Sequence, residues 1–319
     1  MQEFDLRELR YFLAAAEELN LSRAAERLGI SQPPLSRAIR QMERRLGAPL
    51  FHRSHNSIRL TPAGDTLLSE ARKVLDAAAA ASRRTRRAGR AAPALTITAA
   101  PGHGTRLLRR IADAYARLPG AARTDIAVTG YRAQEAALRS GEADLALLST
   151  PFDTEGLRVR PLCSEERVAA VPAGHRLAGC TALRCADLAG EPLPRWPGDT
   201  EATRRYWSGR DRAATAAPAG ADAAHGPLVH DISQVIEVVG LGQAVALVPR
   251  HVAGANPRPD VVYVPVADAS AHRTVLAWPE GPTGPAVDLF VRTAAGLFAA
   301  GPATGPDSDS GPGTVAGPV

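Results

Sequence analysis

The stretch LSRAAERLGISQPPLSRAIRQMERRLG, residues 21–47, decides how the chain is read. Ser22 offers a hydroxyl to cap a short helix over 23–28 whose Ala24, Ala25 and Leu28 face inward. Gly29 supplies the left-handed stop, because a residue without Cβ enters that region without a steric penalty. Ile30 fills the corner, and Ser31 is placed to cap a third helix. Pro33 and Pro34 fall in its first turn, where a missing N–H forfeits no helical hydrogen bond. Leu35, Ile39, Met42 and Leu46 recur at helical spacing and form one packing stripe. Gln32, Ser36, Arg37, Arg40, Gln41 and Arg44 are left on the other faces. A short helix, a glycine turn and a helix presenting Gln, Ser and Arg suit a duplex groove: Arg matches guanine O6/N7, Gln matches adenine, and the helix start favours phosphate. An ordinary helical hairpin shows the same apolar pattern, so the flanking sequence has to discriminate.

Upstream, DLRELRYFLAAAEEL puts Leu6, Leu9, Phe12, Leu13 and Ala16 on one helical face, and Asp5 with Glu8 spells a capping box. Downstream, PLFHRSHNSIRLTPAG, residues 49–64, reads as two short strands around Ser54, His55 and Asn56, a wing with Arg53 and Arg59 flanking its tip. His52 and His55 lack ligand partners at metal spacing and read as surface or phosphate-facing residues. Thr61 and Pro62 open a helical run to about residue 87, roughly 39 Å at 1.5 Å per residue. Its stripe of Leu67, Leu68, Ala71, Val74, Leu75 and Ala78 wants a partner, and the same segment of a second copy is the simplest one. SRRTRRAGRAAP, residues 82–93, reads first as a hinge.

Charge is unevenly spread. Residues 1–92 hold 17 Lys and Arg against 10 Asp and Glu, a net +7, while residues 93–319 hold 21 against 23, a net −2. A basic head on a slightly acidic remainder fits an anionic polymer held by one part only, although a solvated basic face accounts for charge alone. The 319 residues exceed one ordinary domain of roughly 100 to 200 residues. No run of 18 apolar residues occurs and the start lacks a basic, then apolar, export signal, so a cytoplasmic protein without membrane contact is expected. Cys163, Cys180 and Cys185 are odd in number and lack paired metal spacing, so free thiols are expected. Enzyme signatures such as GxxxxGK, HExxH and GxSxG are missing, and the sole lysine, Lys73, lies in the long helix, so no catalytic residue, metal or cofactor is expected.

From Leu95 the pattern changes. LTITAA, DIAVTG and DLALLS alternate with helical segments, which suggests βαβ units on a mostly parallel sheet. RVAAVP, PLVH, AVALVP, VVYVPV and RTVLAWP make a second set, with a final helix near 287–298. Two such halves leave a cleft suited to a small ligand at the carboxyl ends of strands. The segment PGHGT follows a strand and opens a helix, so its N–H groups and dipole suit a carboxylate; a plain turn is the plainer alternative.

Residues 4–64, through LRELRYFLAAAEELNLSRAAERLGISQPPLSRAIRQMERRLGAPLFHRSHNSIRLTPAG, closely resemble the DNA-binding head of LysR-type transcriptional regulators. LRSGEADLALL, PLCSEERVAAVPAGHRLA and GLGQAVALVP are similar to that family's sheet and hinge segments, and the likeness extends to about residue 299. The resemblance implies a multidomain α/β chain: a winged helix-turn-helix over 1–61, a dimerising linker helix over 62–92, and a two-lobed, periplasmic-binding-protein-like effector domain over 93–300. Lobe I takes about 93–162 and 268–300, lobe II about 163–267, and 301–319 forms a disordered tail.

As partners the resemblance implies double-stranded DNA bearing an imperfect palindrome near a promoter, a homodimer through the linker helix, a homotetramer above it, and RNA polymerase as a candidate. The recognition helix then corresponds to 31–44, with Ser31, Gln32, Pro33, Pro34, Ser36 and Arg37 where DNA contacts cluster, and Arg40, Arg53 and Asn56 as further contacts. The effector, a small molecule with a carboxylate favoured, is expected at Ala100, Pro101, Gly102, His103, Gly104 and Thr105. Thr129, Tyr131, Ser149, Pro194, Trp196, Ile232, Ser233 and Gln234 complete that expected pocket. Two alternatives stay open at this point: a thiol-based redox regulator using Cys163, Cys180 or Cys185, and a solute-binding protein.

Overall fold

A computed structural model describes residues 4–54, 57–89, 94–212 and 225–299. Asn56, His55 and the tail over 301–319 lie outside the described residues. The head begins with α1 (Leu6–Glu18), whose capping box is present: Arg7 N–H donates to Asp5 Oδ1 at 2.9 Å and Asp5 N–H to Glu8 Oε2 at 3.1 Å. Helix α2 (Leu21–Leu28) starts earlier than the sequence suggests, and its cap is Asn20, not Ser22. The Asn20 side-chain oxygen accepts from both Ser22 N–H and Arg23 N–H, a double satisfaction that one hydroxyl at Ser22 would not supply. Gly29 closes α2 at φ 66°, in the left-handed region.

Helix α3 (Gln32–Leu46) packs Leu35, Ile39 and Met42 into a core with Phe12 and Leu50. Ser31 holds its N-cap position without a side-chain hydrogen bond. Two details depart from the periodic reading. Leu46 is 44% exposed, and Ser36, expected on an outward face, is only 8% exposed. The packed stripe is wider than a single row of i, i+4, i+7 positions because α1 and α2 both lie on α3. The wing is present as β1 (Phe51–Ser54) and β2 (Ser57–Leu60), antiparallel in the register Phe51↔Leu60. Glu43 Oε1 accepts from Leu50 N–H and ties α3 to this wing. Gly64 lies so close to it that a Cβ there would sit 2.2 Å from the Leu50 carbonyl oxygen.

Helix α4 (Pro62–Ala88) runs 27 residues out of the head. Its end rests on the next domain: Arg83 donates to the Ser140 carbonyl at 2.8 Å, and Ala80 packs so tightly on Gly141 that a Cβ there would lie 2.8 Å from Ala80 Cα. The first lobe contains β3 (Ala94–Ala99), α5 (His103–Tyr115), β4 (Arg123–Val128), α6 (Ala133–Arg139), β5 (Leu145–Ser149) and β6 (Leu157–Glu165). The second holds β7 (Arg167–Pro172), β8 (Leu193–Arg195), α7 (Glu201–Trp207), β9 (His225–Leu228), α8 (Ile232–Gly240), β10 (Ala246–Pro249), α9 (Arg250–Ala255) and β11 (Val261–Pro265). The chain returns to the first lobe with β12 (His272–Pro279) and α10 (Pro285–Phe298).

The larger sheet has the order β4-β3-β5-β12-β6, with β12 antiparallel to both neighbours. In the smaller sheet, β10-β7-β11, both outer strands run antiparallel to β7. The expectation of a mostly parallel sheet therefore holds for β3 with β4 and β5 and for the small pair of β8 with β9, and fails for the rest. β6 carries the chain out to the second lobe and β12 carries it back, with Glu165 facing His272 in register, so these two strands run antiparallel. Leu108, Ile111, Tyr115 and Phe290 pack α5 and α10 on one face of the larger sheet, and Leu138 with Leu148 packs α6 on the other. Among the described residues no helix is long and apolar enough to cross a membrane.

Candidate DNA-binding and effector-binding sites

The head presents Ser31, Gln32, Pro33, Arg37 and Arg40 as exposed residues on or beside α3, with Pro34 half-buried. Gln41 and Arg44 are exposed as well, so the outer side of the helix carries amide and guanidinium donors next to an unobstructed helix start. Arg40 Nε lies 3.3 Å from the Ser36 carbonyl, which its own helix supplies. Arg45 differs from these: its guanidinium meets Glu8 at 2.5 Å and covers the Phe4 ring, so it is committed to the head's interior. Arg53 lies in β1 opposite Ile58, at the wing.

Between the two lobes lies a cavity of about 310 Å³. Strand ends and helix starts line it, as expected from the topology. The residues brought together there are Ala100, Pro101, His103 and Gly104 after β3, Tyr131 after β4 and Ser149 at the end of β5. Trp196 after β8 and Ile232 with Ser233 at the start of α8 face them from the second lobe. Five other expected residues sit behind this wall. Gly102 caps α5 at φ 86°, and Thr105 Oγ1 donates to its carbonyl at 3.0 Å. Thr129 Oγ1 is 2.8 Å from Thr98 Oγ1, and Pro194 lines a small void behind Trp196. Gln234 N–H donates to Asp231 Oδ1 at 2.8 Å, which makes Asp231 the cap of α8.

One wall is aromatic. Tyr131 and Trp196 have ring centroids 4.2 Å apart, Trp207 stands 5.9 Å beyond, and Trp207 Nε1 donates to the Tyr131 hydroxyl at 3.0 Å. Burial pushes the Tyr131 hydroxyl up to about 12 despite that donor, so it stays a neutral phenol. Arg132 lines the same wall and sits at φ 61°, a left-handed conformation uncommon for a side chain of its size. The opposite wall carries three imidazoles, of which only His103 was expected from its segment. His103 and His251 stack at 4.3 Å, and His272 lies 6.0 Å from His251. Burial, reinforced by the neighbouring His251, lowers His103 to about 4; burial lowers His272 to about 3. Glu165 lies 2.6 Å from His251 Nδ1. Its burial opposes ionisation, but that hydrogen bond and the charge of His251 outweigh it and hold the carboxyl below its ordinary range.

The cysteines are not gathered at the cavity. Cys180 is exposed, Cys185 buried and Cys163 half-buried. Burial raises both inner thiols, Cys185 to about 12.

Residues 6–65 match the family described as bacterial regulatory helix-turn-helix protein, lysR family, and residues 88–299 match the LysR substrate binding domain. The chain belongs to the LysR family of transcriptional regulators. It is 30% identical to the Hca operon transcriptional activator HcaR of Escherichia coli (strain K12), over 90% of this chain and 96% of that protein. It is likewise 30% identical to the regulator ShiR of Corynebacterium glutamicum (strain R), over 92% of this chain and 99% of its relative. Among solved structures, CbnR gives a TM-score of 0.52 at 22% identity, covering 92% of this chain and 99% of that one. A variant of full-length BenM gives 0.52 at 22%, covering 93% and 96%. These likenesses show the fold. The chain is thus a LysR-type, DNA-binding transcription regulator with an effector-binding domain, and the solute-binding alternative falls away.

Proposed function

We propose that this LysR-type regulator reads operator DNA with the exposed side of α3 and senses a small carboxylate between its two lobes. Gln32 and Arg37 are the base-reading residues, with Ser31, Pro33 and Arg40 beside them and Arg53 and Asn56 at the wing. Ser36 is omitted from the contacts because it is 8% exposed. The head, linker and effector domain divide near residues 61 and 92.

The observation that carries the effector reading is the cavity itself: Arg132 offers a cation beside the aromatic wall, and the starts of α5 and α8 offer backbone N–H groups. A carboxylate with a flat or apolar body matches that combination. Catalysis has no part in this reading. Action in the cytoplasm, on an imperfect palindrome near a promoter and next to RNA polymerase, completes it.

Helix α4 supports a dimer. A groove between α1 and α4 is lined by Phe4, Leu9, Leu46, Leu67, Ala71 and Val74, and Val74 is 44% exposed. The linker helix of a second copy fills that groove, and pairs of dimers form the tetramer. The thiol alternative loses support because the inner thiols are raised by burial, the reverse of what a reactive thiolate needs.

A thermal-shift screen of small aromatic and aliphatic carboxylates against the full chain tests the effector reading. A carboxylate that stabilises the wild type and loses its effect in Arg132→Gln supports it. A screen in which no carboxylate raises the melting temperature counts against it.

A further inference from the structure

We propose that His103, Glu165 and His251 bind one divalent transition-metal ion of the zinc class, in a site that spans the two lobes beside the cavity. His103 is the first residue of α5, Glu165 the last of β6, and His251 the second of α9. Three separate elements thus bring two imidazoles and a carboxylate together, and one donor atom from each lies within 4.8 Å of the others.

Two further observations point to a ligand at this place. The Nε2 of His103 is buried and has no hydrogen-bond partner, whereas buried polar atoms are ordinarily satisfied. His103 and His251 are stacked, with ring centroids 4.3 Å apart and planes 19° apart, so an imidazole from each lobe is held at the same place beside Glu165. Glu165 is already oriented: its Oε2 accepts from the His251 backbone N–H at 2.8 Å and its Oε1 faces His251 Nδ1. An ion here takes the place of the proton shared between that carboxylate and imidazole, which is released to solvent.

The donor set decides the class of ion. Two nitrogens and one carboxylate oxygen suit zinc, cobalt and nickel, while calcium and magnesium prefer all-oxygen sites. Zinc bonds of about 2.0–2.1 Å in a tetrahedron hold ligand atoms about 3.4 Å apart, so Glu165 and His251 part slightly from their 2.6 Å contact to admit the ion while small side-chain rotations set the His103 distance. His103 and Glu165 belong to the first lobe and His251 to the second, so the ion favours the arrangement in which the lobes approach. Both histidines line the cavity, so an open coordination position faces the effector space. The proposal stands apart from the carboxylate reading, since metal titration of the chain reads the site whatever Arg132 does.

The test uses the full-length chain after EDTA treatment and dialysis. Zn²⁺ is titrated by calorimetry, and Co²⁺ by its visible d–d absorption, which reports coordination geometry. The expected result is one ion per chain, tetrahedral cobalt bands, and at least tenfold weaker binding in each of His103→Ala, His103→Gln and His251→Ala. His230→Ala, which alters an exposed imidazole, keeps wild-type binding. Should a histidine variant fold poorly by circular dichroism, X-ray absorption of the zinc-loaded wild type decides by counting two imidazole ligands. The absence of stoichiometric binding, an imidazole count other than two, or unchanged affinity in the folded His103 variants would overturn the proposal.

Discussion

Arg167 donates through Nε to the Ser270 carbonyl at 2.6 Å, and so ties the strand that enters the second lobe to the segment that leaves it. The side chain is 1% exposed, donates through Nη1 to the Tyr206 carbonyl at 2.6 Å, and meets Asp211 at 3.2 Å. It also lies 4.0 Å above the Tyr206 ring. Both crossings between the lobes are therefore fastened by one guanidinium. Arg167→Ala removes a buried charge-assisted network, for which about 3 kcal/mol is the expected loss. For a domain of this size that corresponds to a melting temperature lower by roughly 6–12 °C. Differential scanning calorimetry checks it, and a change under about 2 °C would contradict the assignment.

Arg37 is exposed on α3, and the proposed reading gives its guanidinium a bidentate contact with guanine. Arg37→Ala is expected to weaken operator binding by about 1–3 kcal/mol and to relax the preference at one base pair. Competition binding with operator duplexes substituted one position at a time measures both effects. Arg45→Ala should behave differently, lowering the stability of the head through its lost contacts with Glu8 and Phe4.

Ser233 and Thr105 separate the cavity from its support. Ser233 faces the cavity, whereas Thr105 Oγ1 is spent on the Gly102 carbonyl behind it. With a carboxylate hit from the thermal-shift screen, Ser233→Ala should shift the dose response and Thr105→Ala should leave it in place. Isothermal titration of the two variants distinguishes them, and the reverse ranking would move the binding site.

The thiols give a prediction with a definite sign. Alkylation requires thiolate; burial raises Cys185 to about 12, which keeps it a thiol at pH 8, and burial shifts Cys163 away from thiolate in the same direction. Brief iodoacetamide treatment of the native chain at pH 8 should label Cys180, the exposed thiol, and spare the other two. Peptide mass measurement reads the outcome, and rapid labelling of Cys185 would revive the redox alternative.

The head was legible because its determinants are local. The Asp5 and Glu8 capping box, the left-handed stop at Gly29 and the apolar steps from Leu35 to Met42 each act within a few residues. Where two local caps competed, Asn20 prevailed over Ser22 by satisfying two N–H groups. Ser36 and Leu46 departed from the periodic pattern because neighbouring helices, not spacing, decide what is covered.

In the effector domain, strand ends pointed to nine of the cavity's residues, since topology alone brings those ends together. His251 and His272 escaped notice because they meet His103 only through the doubled crossing between lobes, across more than a hundred positions of chain. Arg132 escaped because one arginine between a strand and a helix carries no motif.

The direct test of the account is operator binding by the intact chain. Fluorescence anisotropy with labelled duplexes tiling the DNA next to its own coding region, at two salt concentrations, is the measurement. The account predicts tight, salt-sensitive binding confined to one tile and weakened by Arg37→Ala. Equal affinity for every tile, or binding that the Arg37 substitution leaves unchanged, would contradict it.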